Sequence, residues 1–144
     1  FPGVLNVVNR FLEIIKPKYI VLGKKDFQQF FLIKEHILKS KIPTKVVALN
    51  TVRNKHGIAY SSRNLNMNKL QLKRYIKVVK LIKRQKKSMD KQKIINGIKK
   101  LEVKKVDYIE FLNLRTLKKP KTKKSKFNVF IAIYIDKIRL IDNF

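Results

Sequence analysis

The chain has 144 residues, 36 of them Lys or Arg against 9 Asp or Glu, a net charge of +27, and a hydrophobic fraction of 44%. With no cysteine, disulfides and cysteine-based zinc sites are excluded. There is neither an apolar run long enough to span a bilayer nor a signal-peptide pattern, so a cytoplasmic, metal-poor globular protein is expected.

The chain opens on Phe1-Pro2-Gly3-Val4 and runs straight into an amphipathic stretch, which reads as a cut through a longer protein. Val4, Val7, Val8, Phe11, Leu12 and Ile15 recur at helical spacing, and Lys16-Pro17 ends that helix because the residue before proline avoids the α region. Tyr19-Ile20-Val21-Leu22 is a short apolar run of the buried-strand type, closed by Gly23. The helical period returns from Asp26 to Lys39 with Phe27, Phe30, Phe31, Ile37 and Leu38 on one face, and Val46 to Leu49 reads as a second buried strand after a turn at Pro43. Helix, strand, helix, strand with short connections predicts the end of a doubly wound α/β domain.

Asn50 to Asn68 is polar and reads as a long loop, of a kind that is either functional or disordered, and as the domain boundary. Leu72, Tyr75, Ile76, Val79 and Ile82 form the apolar stripe of a very basic helix. Asp90 is placed to cap a further helix carrying Ile94, Ile95, Ile98 and Leu101 inward. Val106–Leu114, Phe127–Ile135 and Ile138–Ile141 read as strands, with a tight turn at Asp136-Lys137 and a solvated loop over Lys118–Lys126. The expected architecture is α/β: residues 1–64 form the carboxyl-terminal portion of a Rossmann-like domain, and residues 65–144 a small α+β domain with a short antiparallel sheet.

The charge admits two readings. Clustered cations bind phosphate backbones through counterion release, which would make residues 69–126 a nucleic-acid-binding module. Lys, however, far outnumbers Arg, accompanies abundant Ile, Asn and Phe (residues of A/T-rich codons), and spreads over the whole second half. Compositional bias is the preferred reading, with no specific nucleic-acid partner expected.

Two segments can carry chemistry. Gly23-Lys24-Lys25-Asp26, followed by Gln29, sits where a strand ends and a helix begins. Free N–H groups and cations there attract anions. The plain alternative is a capping box, since Asp26 and Gln29 have that spacing. Ser61-Ser62-Arg63-Asn64 offers two hydroxyls and a guanidinium for phosphate oxygens, with an ordinary serine-capped turn as the alternative. His36 and His56 stand apart, without metal-ligand spacing, and are read as packing or turn residues.

Gly23-Lys24-Lys25-Asp26-Phe27-Gln28-Gln29 resembles the Gly-Glu-Lys-Asp-x-Gln-Gln signature of the pantothenate synthetase family. Thr51-Val52-Arg53, His56-Gly57 and Ala59-Tyr60-Ser61-Ser62-Arg63-Asn64 resemble its second signature in order and spacing. Further similarity lies at Gly3-Val4 with Val7-Val8, at Val106-Asp107-Tyr108 and at Arg139-Leu140-Ile141-Asp142-Asn143, so the resemblance covers essentially the whole chain. It implies an ATP- and Mg²⁺-dependent ligase that joins pantoate to β-alanine through an acyl-adenylate; the alternative on the same fold is another adenylate-forming or nucleotidyl-transferring enzyme, which need not depend on Gln29. The resemblance places Gly23, Lys24, Lys25 and Asp26 on ATP, with Gln29 on pantoate and the Val52 backbone near adenine. Tyr60, Ser61, Ser62 and Arg63 form a loop over the phosphates, and Lys25 and Arg63 are the catalytic cations. It also implies a homodimer at full length. The departures are Lys24 for the usual glutamate, Tyr60 for Met or Leu, and Pro2 for Arg. The family's His-x-Gly-His phosphate motif and pantoate-binding glutamine belong to its amino-terminal half and do not occur in these residues.

Overall fold

The computed structural model describes residues 2–103, 105–122 and 125–144. The chain divides into two compact units, the first ending at Thr51 and the second spanning Val52–Phe144.

The first unit is built from α1 (Pro2–Ile15), β1 (Tyr19–Gly23), α2 (Phe27–Lys39) and β2 (Lys45–Leu49). The strands β1 and β2 pair in parallel, Tyr19 opposite Lys45 and Gly23 opposite Leu49. Parallel strands need a crossover, and α2 supplies it. Leu12, Ile33 and Ile37 form the core, with Leu5, Val8, Ile20, Leu22, Ile42 and Val46 packed against it. Three details differ from the expectation. On α1 the inward face is Leu5, Val8 and Leu12, while Val7, Phe11 and Ile15 are exposed. On α2 the fourth buried position is Ile33, and Leu38 is exposed. The strands are not buried on both faces, since Tyr19, Val21, Val47 and Leu49 are exposed. Successive strand residues point to opposite faces, and the helices cover one face of the pair.

The second unit begins with a hairpin-like turn at 52–60 and a 3-10 turn, Ser62–Asn66. It continues through α3 (Lys69–Gln85), α4 (Lys91–Lys99), β3 (Lys105–Asn113), β4 (Phe127–Ile135) and β5 (Ile138–Asn143). The antiparallel sheet has the order β3-β4-β5. Asp90 caps α4 as its position predicts, accepting from the Lys93 N–H at 2.8 Å. Asn68 and Gln71 close a reciprocal capping box on α3. The two-residue link Asp136-Lys137 joins β4 to β5, with Asp136 at φ 53°. Lys123 and Lys124, within the expected loop 118–126, lie outside the described residues.

The core of this unit is aliphatic. Val78, Val79, Ile82, Ile94, Ile98, Ile109, Ile131, Ile133 and Ile135 are fully enclosed. Each such side chain contributes about 1.5–3 kcal/mol relative to exposure. Ile58 belongs to the same core, at 1% exposure. That burial attaches the 52–60 segment to the second unit and puts the division between compact units at Thr51/Val52, ahead of the expected 64/65.

Candidate functional site

The carboxyl ends of β1 and β2 form one edge of the first unit. Gly23 leads into a 3-10 turn, Lys24–Asp26, which runs into α2. Lys24 Nζ donates to Asn50 Oδ1 at 2.9 Å, tying the residue after β1 to the residue after β2. Lys25 Nζ lies 3.6 Å from Asp26 Oδ1, with the lysine side chain mostly covered. Gln29 is exposed on the first turn of α2.

Neither plain structural explanation of this segment holds. Gly23 has φ −80° and ψ 133°, an ordinary extended conformation open to any residue. A Cβ added there would meet no atom within 4 Å. Asp26 stands at the N-cap of α2 but makes no side-chain cap hydrogen bond, so the Asp26/Gln29 capping box does not form.

The second group of sequence-selected residues lies wholly in the second unit. Val52 is exposed, and its carbonyl accepts from the Tyr60 N–H at 3.2 Å. Tyr60 is also exposed, and Ser62 and Arg63 project from the 3-10 turn. Ser61 behaves as a plain turn residue, its Oγ accepting from the Arg63 N–H at 3.4 Å. Asn64 Nδ2 donates to the Ala59 carbonyl at 2.8 Å and holds the turn against the hairpin. The structure therefore gathers Gly23, Lys24, Lys25, Asp26 and Gln29 on one unit, and Val52, Tyr60, Ser61, Ser62 and Arg63 on the other.

Both histidines are structural in position. His36 Nε2 lies 3.0 Å from Asn9 Oδ1 and links α2 to α1. His56 lies in the turn before Gly57, its N–H donating to Asn54 Oδ1 at 3.0 Å. Among the described residues no group of three or more His, Cys, Asp or Glu is placed to hold a metal ion, and no helix is long and apolar enough to cross a membrane.

The sequence reading passed over the partner of Arg53. Its guanidinium grips Asp142 through two bonds of 2.8 and 2.9 Å, and donates to the carbonyls of Asn143 at 2.7 Å and Gly57 at 3.0 Å. The Asp142 side chain is 0% exposed. The Phe144 ring lies 4.9 Å from the guanidinium carbon. Burial pushes the nearby Tyr75 phenol well above its ordinary value; the charge of Asp142 adds to that rise and Arg53 opposes it. The signal in the sequence was a carboxylate, Asp142, directly after the apolar pair Leu140-Ile141 of the closing strand, since a buried carboxylate needs a cation.

A parallel strand pair joined by a crossover helix, followed by an α+β unit, defines the class: an α/β protein with a Rossmann-like portion and a small second unit. The chain belongs to the pantoate-beta-alanine ligase family, whose model matches residues 1–144. It is 36% identical over 144 residues to a pantothenate synthetase of Francisella philomiragia, covering 100% of this chain and 49% of that protein. It is 34% identical over 153 residues to one of Clostridium botulinum, covering 100% of this chain and 54% of that protein. The crystal structure of pantoate-beta-alanine ligase from Francisella tularensis complexed with beta-gamma ATP and beta-alanine is similar with a TM-score of 0.78 and 34% identity, covering 99% of this chain and 49% of that one. The chain thus spans about half the length of the relatives it matches, and the matched half is their carboxyl-terminal part.

Proposed function

We propose that this chain supplies the carboxyl-terminal part of an enzyme that condenses pantoate with β-alanine using ATP. A carboxylate oxygen of pantoate attacks the α-phosphorus, the bond to the β-phosphate oxygen breaks, and pyrophosphate leaves. The β-alanine amine then attacks the acyl carbon of the pantoyl-adenylate and loses a proton, and AMP departs with the electrons of the acyl–oxygen bond.

The observation that carries this reading is the segment Gly23–Asp26. It stands at the carboxyl end of a parallel strand, where open α/β sheets bind ligands, and the fold itself requires neither its glycine nor its Asp26/Gln29 spacing. The open space at Gly23 suits close approach of a phosphate to backbone. Lys25 and Arg63 supply positive charge where negative charge builds in the adenylation step, an effect worth about 3 kcal/mol or more per donor. Lys24 and Asp26 complete the ATP contacts of the first unit. Gln29 is neutral and orients pantoate. The Val52 backbone meets adenine, while Tyr60, Ser61, Ser62 and Arg63 close over the phosphates. The second step relies chiefly on proximity, because the adenylate is already activated.

Mg²⁺ fits this chain as a companion of the nucleotide. It binds by preference to substrate phosphates with one or two carboxylates. The chain offers the half-exposed carboxylate of Asp26 at this edge. The reading includes a cytoplasmic homodimer, with no specific nucleic-acid partner. It also includes inactivity of these residues alone, because the family's His-x-Gly-His motif and pantoate-binding glutamine are not among them.

The test is pantoate-dependent ATP–pyrophosphate exchange. It is measured on this chain alone and on this chain fused behind the amino-terminal half of the Francisella tularensis relative. Exchange by the fusion only is expected. A folded fusion without exchange overturns the assignment, and exchange by the chain alone overturns its dependence on the amino-terminal half.

A further inference from the structure

We infer that Arg53 is a positioning residue: it clamps the 52–60 hairpin onto β5 and thereby sets where the turn carrying Ser62 and Arg63 stands on the second unit. The inference rests on the reading above only for its effect on catalysis; the clamp itself is a matter of geometry within Val52–Phe144.

The attachment runs through named bonds. Asp142 and Asn143 belong to β5, which is held in register by β4, with Asp142 opposite Ile131 and Asn143 opposite Phe130. Arg53 binds both oxygens of Asp142 and the carbonyl of Asn143, and is therefore fixed in plane and in direction. Its fourth bond goes to the Gly57 carbonyl across the hairpin it belongs to. Asn54 Oδ1 accepts from the N–H groups of His56 and Ile58, and Gly57 takes φ 81°, so the turn at 54–57 is closed from within. Arg53 bridges to Ala59, and the Ala59 carbonyl receives Asn64 from the 3-10 turn. Four residues lie between Ala59 and Asn64, and the tie leaves these, Tyr60 to Arg63, as a short arch over a fixed base.

The chemistry is specific to arginine. A lysine presents one point charge and cannot serve two carboxylate oxygens and two carbonyls in one plane. The neighbouring residue, Thr51, already belongs to the other compact unit. The clamp therefore lies at the very start of the second unit.

Arg53→Lys is made in the fusion protein, and backbone amide exchange is followed together with ATP–pyrophosphate exchange. We expect amides of residues 58–64 to exchange about tenfold faster or more, with those of β4 and α4 unchanged. The maximal rate of ATP–pyrophosphate exchange should fall by about tenfold or more, with a smaller change in the KM for pantoate. Asp142→Asn keeps the side-chain shape and one acceptor. It should loosen the same amides to a smaller degree and provides the test if Arg53→Lys does not fold. Unchanged exchange at 58–64 in either folded variant overturns the clamp. Equal loosening of β4 also overturns it, since Arg53 would then serve general stability. Loosened 58–64 amides with an undiminished catalytic rate uphold the clamp and remove Tyr60–Arg63 from the proposed chemistry.

Discussion

Lys25 and Gln29 follow one another around the start of α2, and their chemistry separates them. Lys25 carries full charge beside Asp26 at 3.6 Å, whereas Gln29 is neutral and exposed. In the fusion protein Lys25→Ala should slow adenylate formation by about a hundredfold, with little change in the KM for pantoate. Gln29→Ala should raise the KM for pantoate far more than that for ATP. Pantoate-dependent pyrophosphate exchange over a matrix of both substrates measures the contrast, and equal losses for the two substrates would contradict a pantoate contact. These residues were legible in the sequence because the Gly-Lys-x-Asp segment follows an apolar run and precedes a helical one. The failure of the capping alternative was not legible. Spacing allows Asp26 and Gln29 to cap, but the turn enters α2 with Asp26 at φ −96° and ψ 62° and no bond forms.

At the scale of elements, α3 shows how one helix serves two environments. Its inner face places Tyr75, Val78, Val79 and Ile82 in the core, and its outer face carries lysines into solvent. Tyr75 is 3% exposed, and its raised phenol pKa makes the fold favour the protonated form. In the unfolded chain tyrosine ionises near ~10. The stability contributed by the buried, protonated phenol is therefore present below that pH and lost as pH rises above it, because the unfolded chain then gives up a proton that the fold retains. Tyr75→Phe should remove this component. Urea unfolding of both proteins below and above pH ~10 should show the wild type losing more stability than the variant, after the lysine titration common to both is subtracted. The elements themselves were readable because helical and strand periods are local. The inward face of α1 was less so, since Val7, Phe11 and Ile15 match the helical period as well as Leu5, Val8 and Leu12 do. Only the position of α2 and the strand pair decides between them.

For the whole molecule, the charge of +27 acts on stability and on non-specific binding. Arg74 is held by Glu102 at 2.8 Å and by Asp136 at 3.3 Å, but nine acidic side chains cannot neutralise 36 basic ones. Self-repulsion should make the melting temperature rise as salt increases from ~0.05 to ~0.5 M, where the screening length shrinks to a few ångströms. Affinity for random-sequence DNA should be measurable at low salt and fall steeply by ~0.2 M. Fluorescence melts and DNA titrations over the same salt series measure both. Tight, structure-selective DNA binding that survives physiological salt would favour the nucleic-acid reading of residues 69–126 over compositional bias.

The sequence by itself determined the order of helices and strands, the Asp90 cap on α4 and the tight turn at Asp136-Lys137, because each depends on residues within a few positions of one another. It also carried the motifs that resemble the family. Tertiary structure alone decided which apolar faces are covered, where the chain divides into compact units, and that Arg53 meets Asp142 across 89 positions. Such pairings depend on β5 being held beside β4 and on Ile58 finding the second core. They are set by non-local packing, which no local pattern of residues records.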